Sequence, residues 1–157
     1  MPALTTEQWE RLRELAEAET GMDLAGSRAG RLHDAVSKVL AGRPAKLDLA
    51  SVLAQPDARA TFLEDVTVQR TVGETYFLRN EHHIRALRET VLPRIIQENQ
   101  ARQEIRIWSA GCATGEEPHS LAIVLDQLLT GHDGWKVSIL GTDLNPEFLA
   151  RASEGRY

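Results

Sequence analysis

The chain has 157 residues, a formal net charge of -5 and 42% hydrophobic residues, apolar material enough for one ordinary globular domain or a domain and a half. No stretch is long and apolar enough to cross a membrane, and the acidic balance argues against nucleic acid. The single cysteine, Cys112, rules out an internal disulfide and fits a reducing compartment.

Met1-Pro2-Ala3 lead at once into a polar helical pattern, so no signal peptide is expected. Thr5 is a good N-cap, Gln8 closes a capping box, and Leu4 can staple onto Trp9. Trp9, Leu12, Leu15 and Ala16 recur at helical spacing until Gly21. A second helix is predicted from near Ser27, burying Leu32, Val36, Val39 and Leu40 and ended by Gly42 and Pro44. A short helix runs from Asp48 to Gln55 and stops at Pro56, and a fourth carries Phe62, Leu63 and Val66. Gly73 opens an irregular connector. A long helix from Asn80 shows Ile84, Leu87, Val91 and Ile95 on one face, with Pro93 expected to kink it. Beyond the polar link Gln97 to Glu104 the pattern becomes strand, helix, strand, helix. Three segments follow: an all-α domain over 1–72, a connector and linking helix over 73–103, and the start of an α/β domain over 104–157.

The most informative stretch is Arg106 to His119. A short apolar strand (Ile105, Ile107, Trp108) enters a turn with Gly111 and Gly115, followed by Glu116-Glu117-Pro118 and an apolar helix pattern. A glycine-rich turn between strand and helix admits a ligand close to the backbone. A helix N-terminus suits phosphate, yet two carboxylates here would repel one and favour a cation; taken alone, Glu116 and Glu117 are also the ordinary first-turn acids that favour a helix. Neither the dinucleotide Gly-x-Gly-x-x-Gly fingerprint nor a P-loop is present. The second strand, Val137 to Leu140, ends in Gly-Thr-Asp-Leu-Asn-Pro. Asp143 taken alone reads as a plain turn or cap residue, but Asn145 is the better cap for the next helix, with Pro146 in its first position, which leaves Asp143 free for a ligand's ribose hydroxyls.

Trp108-Ser109-Ala110-Gly111-Cys112-Ala113-Thr114-Gly115-Glu116-Glu117-Pro118 resembles motif I of the CheR-type chemoreceptor methyltransferases, which are S-adenosylmethionine-dependent protein-glutamate O-methyltransferases. Gly73 to Asn80 resembles that family's Thr-x-Phe-Phe-Arg segment, Val91-Leu92-Pro93 the end of its linking helix, and Thr142 to Asn145 with Ala152 to Tyr157 its second-strand segment and Ala-x-x-Gly-x-Tyr ending. The resemblance is strong over Thr67 to Tyr157 and faint before it. It implies a Rossmann-like, seven-stranded α/β sheet of which the first two strands are read here. Two parallel strands make a poor core, so the chain is expected to be a fragment or to have its open edge covered by another copy or another polypeptide.

The implied reaction is methylation of glutamate side-chain carboxylates on a chemoreceptor, leaving S-adenosylhomocysteine. A glutamate with a reference pKa of about 4.3 is already ionised at neutral pH, so alignment rather than a general base carries the chemistry. Gly111 and Gly115 would shape the loop around the methionine part. Glu116, with Glu117 as the second choice, would face its ammonium, and Asp143 would take the ribose. The resemblance makes Gly73, Thr75 and Arg79 cofactor-binding positions. Arg79 is also the catalytic candidate, pairing with the cofactor's carboxylate or orienting the acceptor's. Three positions depart from the family: Gly73 for asparagine, Leu78 for the second phenylalanine, and His119 for tyrosine. Cys112 is read as a packing residue. His82 and His83 lack metal-ligand spacing and are given a structural or surface role.

Arg28, Arg31, Lys38, Arg43 and Lys46 form a basic strip. The resemblance implies that the N-terminal helices touch the receptor's acidic methylation region in the cytoplasm, and a basic helix would steer such a partner. A solvated helix face explains the strip equally well. Two other functions stay open: a non-catalytic cofactor-binding or scaffolding module, and a methyltransferase of the same fold with another acceptor.

Overall fold

The computed structural model describes residues 4–26, 28–43 and 49–157, which fall into two compact units divided between Thr71 and Val72. No helix among the described residues is long and apolar enough to cross a membrane.

The first unit holds α1 (Thr6–Thr20), α2 (Arg28–Ala41), α3 (Leu49–Ala54) and α4 (Pro56–Arg70). The capping box at Thr5 is formed: its hydroxyl accepts from the Gln8 amide at 3.2 Å, and the Gln8 side chain accepts from the Thr5 amide at 2.8 Å. Gly21 ends α1 in the left-handed region and returns its N–H to the Glu17 carbonyl. Pro56 does more than stop α3. It takes the first turn of α4, where a missing N–H costs nothing. The apolar faces of the four helices meet over Leu12, Val36 and Phe62, all fully buried. The Arg43 guanidinium stacks over Phe62 at 5.1 Å and pairs with Asp65. It is thereby committed to this unit's own packing, and Arg31 and Lys38 are the exposed members of the basic strip among the described residues. The expected helix limits at Ser27, Pro44 and Asp48, together with Lys46 and the Arg28 side chain, lie outside the described residues.

The second unit begins at Val72 and contains the connector, the linking helix and the sheet. Its elements are α5 (Glu81–Ala86), a wide helical turn (Leu87–Val91), α6 (Leu92–Glu98), β1 (Glu104–Ala110), α7 (Glu116–Leu129), β2 (Lys136–Thr142) and α8 (Pro146–Glu154). One expectation fails in the linking helix. Val91 was placed on its apolar face but is 41% exposed, and Leu92 is 1% exposed in its place. Pro93 has no N–H to offer the carbonyl one α-turn back. The chain widens just before it into a π-turn, in which the Leu92 amide bonds to Leu87, five residues earlier. The extra residue moves the buried face on by one position, and the widened turn accommodates Pro93.

β1 and β2 pair in parallel, with Ile105 opposite Val137 and Trp108 opposite Leu140. Ile105 packs with Leu92, Val124 and Leu125 in a small core. The opposite sheet face carries Trp108 and Leu140, 69% and 60% exposed. Asn145 caps α8 as expected: its side chain accepts from the Glu147 and Phe148 amides, and Pro146 follows in the first turn.

Candidate functional site

The turn after β1 is held at its base by a single acceptor. The amides of Gly111 and Cys112 both donate to the Thr142 carbonyl at the end of β2, at 2.7 and 2.9 Å. Its two glycines do different work. Gly111 has φ 77°, and a Cβ there would meet nothing within 4 Å, so the turn presents bare backbone to open space. Gly115 has φ 100°, and a Cβ there would lie 2.5 Å from the Tyr157 hydroxyl and 3.0 Å from the Ala152 methyl. Gly111 is therefore open toward a ligand, and Gly115 is closed against α8.

A cleft of about 420 Å³ opens beside this turn, within the range of small-molecule sites. Thr75, Tyr76 and Arg79 of the connector form one wall, and Gly111, Cys112, Ala113, Glu117 and Ser120 form the facing one. Connector and helix are pinned together by Ser120, which is 2% exposed. Its hydroxyl donates to the Glu116 carbonyl at 2.6 Å and accepts from the Leu78 amide at 2.8 Å. Leu78 and Asn80 take positive φ values of 57° and 61° on either side of Arg79, the kind of uncommon backbone that tertiary contacts must hold in place. One Arg79 nitrogen donates to the Glu74 carbonyl at 2.6 Å, and the guanidinium lies 5.9 Å from the Tyr76 ring centroid. The rest of its donor fork is available to the cleft.

Four of the expected residues line the cleft: Thr75, Arg79, Gly111 and Glu117. Gly73, Gly115, Glu116 and Asp143 do not. Gly73 sits under the Phe148 ring, where a Cβ would lie 2.5 Å from the ring edge. Glu116 turns away to accept the Thr114 hydroxyl at 2.6 Å. Glu117, one helical position on and so rotated by about 100°, faces the cleft and accepts the Ser109 hydroxyl at 2.6 Å. Of the two glutamates, Glu117 and not Glu116 lines the cleft. The expectation that Asp143 is free also fails. Its two oxygens accept from the Ala113 amide at 2.9 Å and the Asn145 amide at 2.8 Å, so it braces the turn.

Cys112 is 2% exposed and rests on Gly141. Burial above all, then the negative charges of Asp143 and Glu117, pushes its thiol pKa up. That suits a packing residue and is the opposite of an activated nucleophile. Of the histidine pair, His82 approaches Arg85 at 3.1 Å at the surface, whereas His83 lines the cleft. Sequence reasoning missed Ser120 and His83. The signal for Ser120 was a hydroxyl among the apolar positions Leu121, Val124 and Leu125. For His83 no such signal existed, because Asn80 at φ 61° breaks the helical period between Arg79 and α5.

The comparisons with known proteins agree with one another. The family described as CheR methyltransferase, SAM binding domain, matches residues 73–157. A probable chemotaxis protein methyltransferase of Rhizobium etli is 30% identical over 142 residues, spanning 89% of this chain and 53% of that protein. The chemotaxis protein methyltransferase of Borreliella burgdorferi is 39% identical over 90 residues, 55% of this chain and 32% of that one. Chemotaxis protein methyltransferase 2 of Pseudomonas aeruginosa is 30% identical over an alignment spanning 98% of this chain and 52% of its own length. The chain therefore spans between a third and about half of the length of these relatives. With a match that takes in the connector, the glycine turn and both strands, the chain belongs to the CheR methyltransferase family.

Proposed function

We propose that the cleft holds S-adenosylmethionine and that the chain is the cofactor-binding part of an enzyme that methylates glutamate side chains of chemoreceptors. One observation carries this. Glu117 and Arg79 line the same cleft, and neither has an ion-pair partner among the described residues. An acid and a guanidinium set apart on one cleft match the ammonium and carboxylate of an amino-acid end. A pyrophosphate would meet Glu117 with repulsion.

When bound, this cofactor supplies a methyl group on a positively charged sulfur and leaves as S-adenosylhomocysteine. Glu117 accepts from the ammonium. The free part of the Arg79 fork takes the cofactor's carboxylate or orients the acceptor's, with Thr75 beside it. Gly111 lets the ligand approach the backbone; Asp143 lies off the cleft lining and braces the turn, and the ribose role is assigned to it on the family resemblance, through the one lone pair that each oxygen retains beside its bond to Ala113 or Asn145. The acceptor glutamate is ionised at neutral pH, with a reference pKa of about 4.3, so no base is required. A receptor's acidic, cytoplasmic methylation region suits the exposed Arg31 and Lys38 of α2. Self-association through the open sheet edge is part of the same proposal.

Calorimetric titration of the 157-residue chain with S-adenosylmethionine is the first test, and transfer of labelled methyl to a receptor fragment is the second. Micromolar binding with transfer supports the whole proposal. Absence of binding removes it. The uncovered Trp108–Leu140 face favours a second possibility, a chain that binds cofactor without turnover, and binding without transfer would select it.

A further inference from the structure

Tyr157 and His119 lie off the cleft, yet they grip the glycine turn from behind. The Tyr157 hydroxyl donates to the Thr114 carbonyl at 3.0 Å. His119 Nδ1 lies 2.8 Å from the Gly115 carbonyl and 3.2 Å from the Tyr157 oxygen. A carbonyl oxygen only accepts, so Nδ1 carries its proton and shares it between Gly115 and Tyr157. The tyrosine's own proton is committed to Thr114. Burial of the hydroxyl, then the charge of Glu116, pushes the Tyr157 pKa up, which keeps that donor in place. The Tyr157 ring also meets Phe77 edge-on, with centroids 5.0 Å apart. Phe77 belongs to the connector segment that carries Thr75 and Arg79.

Tyr157 thus touches both halves of the site, the turn that orients Glu117 and the connector that carries Arg79. We propose that Tyr157 is a positioning residue, with His119 as its second brace: it fixes the Thr114–Gly115 peptide so that Glu117 faces the cleft, and it ties that turn to the Arg79 segment. The effect on affinity rests on the cofactor proposal. The effect on the turn does not.

The test uses Tyr157→Phe, Tyr157→Leu and His119→Phe in the 157-residue chain. Amide hydrogen exchange without any ligand reads the turn directly. Tyr157→Phe keeps the ring contact and loses the Thr114 bond together with the weaker shared contact to His119, so exchange at 115–119 should rise by at least about fivefold, the cost of one hydrogen bond. Tyr157→Leu should also loosen 74–80, and His119→Phe should loosen the turn alone. S-adenosylmethionine should bind Tyr157→Phe about fivefold more weakly. In a Glu117→Gln background the same change should cost little, because the two act through one contact. A purely structural tyrosine would lower the thermal midpoint without that non-additivity. Unchanged exchange in the turn, or additive effects on affinity, would overturn the proposal. A wild-type chain that does not bind the cofactor would remove the cofactor proposal instead, with exchange still deciding the role of Tyr157.

Discussion

Replacing Glu117 with glutamine removes one charge from the cleft and little else. The amide oxygen of glutamine can still accept the Ser109 hydroxyl, now at 2.6 Å, so the geometry of the turn should persist. A hydrogen bond between an ammonium and a carboxylate contributes about 1.5–3 kcal/mol. Glu117 is exposed, so solvent screening favours the lower end. A loss of about 1.5–2 kcal/mol corresponds to affinity for S-adenosylmethionine falling by roughly 10- to 30-fold. Glu116→Gln is the matched control, because Glu116 is bonded to Thr114 away from the cleft; its affinity should stay within about twofold. Both changes remove an acid from the first turn of α7, so both should lower stability by a similar amount, about 0.3–1 kcal/mol. Calorimetry at two salt concentrations reads the affinities, and the wild type should lose more affinity with salt than Glu117→Gln. If Glu116→Gln lost affinity and Glu117→Gln kept it, the electrostatic assignment of the cleft would be refuted.

The remaining predictions concern the frame around that charge. Leu92→Ala should cost about 2–5 kcal/mol in chemical denaturation, and Val91→Ala under about 1 kcal/mol, because the wide turn buries the former and exposes the latter; equal costs would contradict the shifted face. Gly115→Ala should lose about 2–4 kcal/mol, since it combines a positive φ with a methyl pressed against Tyr157 and Ala152, while Gly111→Ala meets no neighbour and should cost less. Cys112 should be alkylated far more slowly in the native chain than in denaturant at neutral pH. Its raised pKa keeps the thiolate fraction below that of a free cysteine, and the stability this protonated form contributes is present at neutral pH and lost as pH rises through the folded-state pKa. Cofactor binding should slow the labelling further.

What could be read from the sequence was what short-range geometry dictates. Thr5 with Gln8, and Asn145 before Pro146, satisfy backbone amides two or three residues away, so their pattern names the helix starts directly. The strands and their parallel pairing follow from apolar runs separated by a helix. The orientation of Glu116 and Glu117 was not legible because it depends on Gly115's φ and on contacts with Thr114 and Ser109. The two bonds of Asp143 were not legible for a related reason: assigning the cap of α8 to Asn145 left the amides of Ala113 and Asn145 itself unaccounted for, and Asp143 serves them. The Val91 error came from assuming one helical period across a proline, where the backbone changed its hydrogen-bond spacing.

Trp108 gives the chain an optical reporter at its most informative point. Its indole N–H is held by the Thr142 hydroxyl at 2.9 Å, and its ring stands on the cleft wall, largely in water. Of the other two tryptophans, Trp9 stacks on His33 in the first unit and Trp135 is partly buried beside the small core. A ligand entering the cleft would displace water from Trp108 alone, so its emission should shift to the blue and become harder to quench. Site occupancy can then be followed without a label.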